Sequence, residues 1–323
     1  MTDDTPRARP GIDLVESWFF RLNDPSGPRA LWARATALTR ADGSATAEAW
    51  AAVFDDDGAA AHRQPVPYDA ARFEDGRLVV AGTDTDLRAG TSRGEVGSIA
   101  WDLRFEPVPG PLGAPLRLLP DRLIDAPLPK NKLVTPMPAG WFRGAITWGS
   151  RRYAVDRWVG MRGHNWGPAH APQYAWGHAV FLDEAGAPFA LVEGASGRLQ
   201  VGRRQSPILS VLVVRHGGRT YRWDRLVDLW RQRPAITPPG WALTMRGRDG
   251  RAELAAELVP ERCVSLRYDD PSGDARVCTN SKTARLTLRV QPSDGDAFVC
   301  TSIHGAALEF LQRERLPGAP AVV

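Results

Sequence analysis

Turn chemistry recurs so densely in this chain that few stretches can hold anything longer than a strand. The run at residues 16–22 stops at Asn23-Asp24-Pro25-Ser26-Gly27, a strong turn cluster. Residues 29–39 follow, with Leu31, Ala33, Ala35 and Ala37 on alternate positions, the period of a half-buried strand. Residues 45–54, 77–81, 95–105 and 142–148 read the same way, each bounded by Gly, Pro or Asp. The second half repeats the style at 173–181, 189–193, 208–214, 220–223, 241–246, 252–258, 263–268 and 285–290. Strands broken this often predict an antiparallel sandwich or barrel rather than alternating strands and helices. Helical features are few. Trp223, Leu226, Val227 and Trp230 carry helical spacing within an ambiguous segment at 224–233, and a short helix is expected from Ala306.

Residues 107–140 break the rhythm. Nine prolines, from Pro107 to Pro138, exclude a long helix and a central strand there, while Leu112, Leu116, Leu118, Leu119 and Leu123 argue against a free linker. The expectation is a long ordered loop covering one end of a first sheet, a position where lids are common. A chain of 323 residues fits two domains of about 150 residues. The predicted division is a disordered arm at 1–11, a first barrel at 12–170 and a second at 171–323. The fold class is all-β: two tandem antiparallel barrels with few short helices.

Composition narrows the function. There is no apolar run of about 18 residues, so a spanning helix and stable membrane insertion are not expected. The polar start, with Asp3 and Asp4, does not read as a secretory signal. The net charge of +4 is spread over scattered arginines without a basic, aromatic-laced run, so nucleic acid is not an expected partner. Only Lys130, Lys132 and Lys282 are lysines. Cys263, Cys278 and Cys300 are odd in number and lack CxxC spacing, which argues against a disulfide framework or a zinc site and favours a reducing cytoplasm. Nucleophile-elbow, P-loop and dinucleotide-binding patterns are absent.

Chemistry-bearing residues concentrate near the midpoint. Gly160-Met161-Arg162-Gly163-His164-Asn165-Trp166-Gly167 is followed by His170 and by Tyr174-Ala175-Trp176-Gly177-His178, so three of the six histidines fall between 164 and 178. His164 is the candidate acid/base group with Asn165 as its orienting or water-binding partner. The competing reading is that both only bond backbone where the domains join. Trp176 and His178 share a strand face. Trp18, Trp101, Trp166, Tyr174, Trp176 and His178 are the candidate lining of an apolar pocket. His170, between Pro168 and Pro172, reads as an exposed loop residue. A metal on His164, His170 and His178 is not expected from their spacing. Glu16, Asp102, Asp156 and Glu193 lie in apolar settings where burial could raise a carboxyl pKa, although for each one an outward or arginine-paired position is favoured.

Together, the Glu16-Ser17-Trp18 opening, the Ile99-Ala100-Trp101-Asp102-Leu103 strand, the Gly160 to Gly167 motif and Tyr174-x-Trp176-Gly177-x-x-x-Phe181 resemble a family. It is the lipocalin-like (calycin) superfamily of carotenoid 1,2-hydratase (hydroxyneurosporene synthase), AttH-like proteins and Diels–Alderases, with tocopherol cyclases related in architecture. The resemblance implies two calycin-type barrels, the motif closing the first and a Trp strand opening the second. It implies a large apolar ligand such as an isoprenoid, lipid or polyketide, and no cofactor. In the carotenoid hydratases the motif reads Asp-His-Asn-x-Gly, with the Asp and His as acid machinery; Gly163 stands at the Asp position here. The resulting expectation is a cofactor-free hydration, cyclisation or pericyclic closure, with a non-catalytic lipid carrier as the alternative. A fold without a cavity of a few hundred Å3 would favour a purely structural role.

Overall fold

The computed structural model describes residues 3–225, 227–228, 232–316 and 319. Leu226 and Trp230, which lend 224–233 its helical spacing, lie outside these, as do Met1 and Thr2 of the opening arm. Among the described residues the helical elements are single 3-10 turns at Tyr68–Ala70, Asp121–Leu123 and Pro260–Arg262, with 3-10 geometry also at Val227 and Asp228. The protein is all-β.

The first sheet contains β1 (Leu14–Asn23), β2 (Ala30–Thr39), β3 (Ala45–Asp55), β4 (Gly58–Pro67), β5 (Arg72–Glu74) and β6 (Arg77–Val80). It continues with β7 (Thr83–Asp86), β8 (Thr91–Val96), β9 (Ile99–Pro107), β10 (Leu116–Arg117), β11 (Lys132–Trp148) and β12 (Arg151–Gly167). Its order is β4-β3-β2-β1-β12-β11-β9-β8-β7-β6-β5, with β10 paired beside β11. β3 touches β6, β8 and β9 across the interior, so the sheet curls over its own core.

The second half is built from β13 (Gln173–Leu182), β14 (Pro188–Arg198), β15 (Gln200–Val201), β16 (Arg204–Gln205), β17 (Leu209–His216) and β18 (Arg219–Trp223). After these come β19 (Arg233–Thr237), β20 (Gly240–Gly247), β21 (Gly250–Glu257), β22 (Val264–Asp269), β23 (Ala275–Pro292) and β24 (Phe298–Gln312). The second sheet runs β18-β17-β14-β13-β24-β23-β21-β20-β19, with β22 beside β23, while β15 and β16 form a separate ribbon. Both halves place their first strand beside their last, β1 on β12 and β13 on β24.

Each curled sheet has an apolar interior, and a third cluster lies where their outer faces meet. Trp18, Phe20, Leu22, Trp101 and Phe142 fill the first interior; Phe181, Trp223, Trp241 and Phe310 fill the second. Phe19, Trp32, Met161, Trp176 and Leu311 belong to the seam between the sheets. β1 is therefore buried on both faces. This explains why it reads as a nearly continuous run, Trp18-Phe19-Phe20, rather than a polar/apolar alternation.

Several boundaries differ from the sequence reading. Residues 95–105 are two strands joined at Gly97-Ser98. β11 reaches back to Lys132, so Pro136 and Pro138 lie in a central strand, at register shifts between Val134, Met137 and Gly140 where the ladder is interrupted. The long strand β12, which carries the His164 motif, was not anticipated as a strand. Ala306 lies inside β24 rather than opening a helix, because pairing with β13 and β23 overrides local propensity. The opening arm, expected to be disordered, is seated against β1 and β12 from Asp3 onward.

Candidate functional site

Trp18 and His164 are directly opposite in the β1–β12 ladder, and their rings stack at 4.6 Å with planes 12° apart. Pleating puts Glu16 and Trp166 on the same side of this pair. His164 Nε2 lies 2.8 Å from Glu16 Oε1, and His164 Nδ1 donates to the Asp3 carbonyl at 2.6 Å. The second Glu16 oxygen accepts the backbone amides of Arg7 (2.8 Å) and Ala8 (2.6 Å). The His164–Glu16 contact thus shares one proton within a fully buried dyad. Trp166 lies beside His164 at 4.9 Å with its plane tilted by 41°, and is capped in turn by the Arg7 guanidinium 3.7 Å above its indole.

The opening arm seals this dyad from outside. Besides the contacts of Asp3, Arg7 and Ala8, the Asp4 carbonyl accepts from Trp18 Nε1 at 3.3 Å and the Asp4 carboxylate pairs with Arg162. Tyr68 donates to the Ala8 carbonyl, fixing the arm to the first sheet. Beneath it, Trp18, Phe20, Leu78, Trp101 and Arg162 border an interior cavity of about 20 Å3, room for one water. Outside it, an open cleft of about 670 Å3 runs between the Pro107–Pro115 loop, Pro136, Met137 and the turn at Leu87–Gly90. Arg162 and Leu87 border both spaces. The loop wall is held from the second half: Arg215 donates to the carbonyls of Pro111, Ala114 and Pro115 at 2.6, 2.5 and 2.8 Å.

A second polar cluster lies on the opposite face of β1, in the seam. Arg21 donates to His178 Nδ1 at 2.6 Å, to the His178 carbonyl and to the Gly305 carbonyl. It also bonds Asn23, which donates to the Lys282 carbonyl at 2.6 Å. Lys282 pairs with Glu309 at 2.6 Å, its ammonium 5.4 Å from the Trp32 ring and 5.6 Å from the Trp176 ring. Glu193 accepts from Thr135 Oγ1 at 2.8 and 3.0 Å and from Trp176 Nε1 at 3.2 Å. Burial pushes the Glu193 carboxyl up to about 7, against the pull of those hydrogen bonds. Burial likewise lowers Arg21 to about 9, and burial with the Arg21 cation keeps His178 well below its usual range and therefore neutral.

The sequence-derived candidates consequently divide. Glu16, Trp18, His164 and Trp166 converge on the first sheet's interior face, with Trp101 further along the same interior. Tyr174, Trp176, His178 and Glu193 converge in the seam, where Tyr174 donates to Glu309 at 3.4 Å. Asn165 alternates away from His164, and Glu16 takes the orienting position expected of it. Asp102 is exposed and paired with Arg93, and Asp156 is exposed. His170, expected at the surface, is half-buried with its side chain only 5% exposed: it bonds Asp270 at 2.6 Å and stacks on Tyr268.

Arg162, Arg21, Lys282 and Glu309 were missed, along with the arm. Lys282 left a signal, being one of three lysines in an arginine-rich chain. Arg21 left a weaker one, directly after Phe19-Phe20.

The sequence profile of the tocopherol cyclase-like family matches residues 130–310. Uncharacterized proteins of two Mycobacterium tuberculosis strains, CDC 1551 / Oshkosh and H37Rv, are each 28% identical over 291 residues, covering 88% of this chain and 84% of theirs. Among solved structures, a protein described as an AttH from Nitrosomonas europaea superposes with a TM-score of 0.58 at 13% identity, over 92% of both chains. Kievitone hydratase from Nectria haematococca gives 0.56 at 10% identity, over 94% of this chain and 90% of its own. These two likenesses show a shared fold. With the profile spanning more than half of its length, the chain belongs to the tocopherol cyclase-like family.

Proposed function

We propose that this protein is a cofactor-free enzyme that binds a large apolar molecule (an isoprenoid, lipid or polyketide) and adds water to it or closes a ring. The observation that carries this reading is the buried His164–Glu16 dyad, with the face of Trp18 stacked on His164 and Trp166 tilted beside it. Protonating an alkene carbon needs a positioned acid in a dry site and π-faces to stabilise the cation that forms. In such a reaction the proton shared by the dyad passes to a substrate carbon. Water or a substrate hydroxyl then adds to the cation, and its proton returns to the dyad. A pericyclic closure would use the same walls for positioning alone.

The substrate enters this scheme through the open cleft, past Arg162 and along Phe20 and Trp101 to Trp18. The cleft clears the few hundred Å3 that ligand sites occupy, whereas the interior cavity does not, so Trp18 and the arm must shift for substrate to reach His164. The test is extraction of co-purified apolar ligand, then incubation of the protein with candidate polyenes. Turnover abolished by His164→Ala and by Glu16→Gln supports the reading. A bound ligand recovered unchanged, with neither substitution altering any product, replaces it with a carrier function. No binding of any apolar molecule removes both.

A further inference from the structure

Arg162 is the one group that borders both the interior cavity and the open cleft while carrying a full charge. Its side chain is only 11% exposed, and Phe20, Leu87, Trp101, Phe105, Val108 and Met137 line the spaces around it. A guanidinium in apolar surroundings must be paired. Among the described residues its hydrogen-bond acceptor is the carboxylate of Asp4, and its buried Nε has none. The other charged side chains of the cleft, Arg88 and Glu106, are exposed at its rim and paired outward with Asp75 and Arg143. The cleft therefore combines apolar side chains (Leu87, Phe105, Val108 and Met137) with a comparable share of polar surface, one inward cation, and a carboxylate delivered to that cation by the covering arm.

We propose that the cleft binds a long-chain amphipath bearing a single carboxylate, which exchanges with Asp4 on Arg162 while its apolar tail extends toward Phe20 and Trp101. The inference rests on the apolar-ligand reading above and gives the ligand class a head group. Exchange of one carboxylate for another never leaves the guanidinium unpaired, and it uses the donors, Nε included, that Asp4 leaves free. A neutral ligand offers Arg162 nothing, and it must share the cleft with the Asp4 pair. A phosphate monoester would bring a second negative charge that one guanidinium does not match. Because Asp4 adjoins the Asp3 carbonyl on His164, displacing it also loosens the cover of the dyad.

The experiment measures binding of a fluorescent polyene fatty acid, cis-parinaric acid, and of its methyl ester to the full chain. The acid is expected to bind about tenfold more tightly than the ester, the size of one charged hydrogen bond. Asp4→Asn removes the internal competitor from an arm position outside the sheets. It should tighten the acid several-fold and leave the ester unchanged. Arg162→Met, checked for a native melting transition, should bring the acid down to the ester. Equal binding of acid and ester in both the parent and Asp4→Asn chains overturns the proposal and leaves the apolar-ligand reading intact. Weaker acid binding in Asp4→Asn also overturns it. Failure of both probes to bind overturns the proposal and leaves the apolar-ligand reading to the polyene incubations above.

Discussion

Phe19 and Gly163 face one another in the β1–β12 ladder, and a Cβ on Gly163 would lie 2.3 Å from the Cζ of Phe19. The ring of Phe19 occupies the space that a side chain at 163 would need, and it meets Trp176 of the second sheet edge-on at 6.2 Å. The absence of an acid at this position is thus part of how the two sheets pack. An Asp here would also point into the seam, away from the face that carries His164.

Gly163→Asp should accordingly destabilise the protein by at least about 2 kcal/mol through overpacking and a buried charge. Urea midpoints check this. Phe19→Ala in the same chain should recover part of the loss, and strictly additive costs would mean that the two residues do not compete for space.

Lys282 and Glu309 form a buried pair flanked by Trp32 and Trp176. Among the described residues, Lys282→Met leaves Glu309 with Asn280, Tyr174 and Cys278, and it should cost about 3–5 kcal/mol. Lys282→Met with Glu309→Leu should cost less than Lys282→Met alone. A double-mutant cycle by chemical denaturation measures the coupling.

The Glu193 carboxyl is raised by burial from an ordinary 4.5 to about 7, so folding favours its protonated form. Its stabilisation is complete below pH 4.5 and is lost as the pH rises through about 7. The amount lost is about 3 kcal/mol at most. The unfolding free energy of the parent chain relative to Glu193→Gln should fall over that window and stay flat above it. A difference that rises with pH would mean that Glu193 is held ionised.

Arg215→Ala should free the carbonyls of Pro111, Ala114 and Pro115. Amide exchange over 112–117 should then accelerate by about tenfold or more, while exchange in β1 and β12 stays unchanged. Unaltered exchange in the loop would show that its apolar contacts alone hold it.

The strands were legible because their signals are local. Alternation at 31–37 and the turn at 23–27 mark β1 and β2, and the Trp176–His178 spacing places both side chains on one face. What failed was also physical. Pro136 and Pro138 fit a central strand only at interruptions of its ladder, and Ala306 becomes strand through partners distant in sequence. Of the four carboxylates singled out, Glu16 and Glu193 are fully buried and Asp102 and Asp156 face solvent; apolar neighbours along a strand are common to both situations.

The sequence by itself determined an all-β chain in two halves, a midpoint motif rich in imidazole and indole, and the residue types available to a site. Tertiary structure decided how they are grouped. β1 is buried on both faces, so periodicity shows that Trp18 and Phe19 point in opposite directions without showing what each face packs against. Pairing with β12 and packing of the second sheet settle that. They set His164 with Glu16 and Trp18 inside the first sheet, and leave Trp176, His178 and Glu193 in the seam with Arg21 and Lys282.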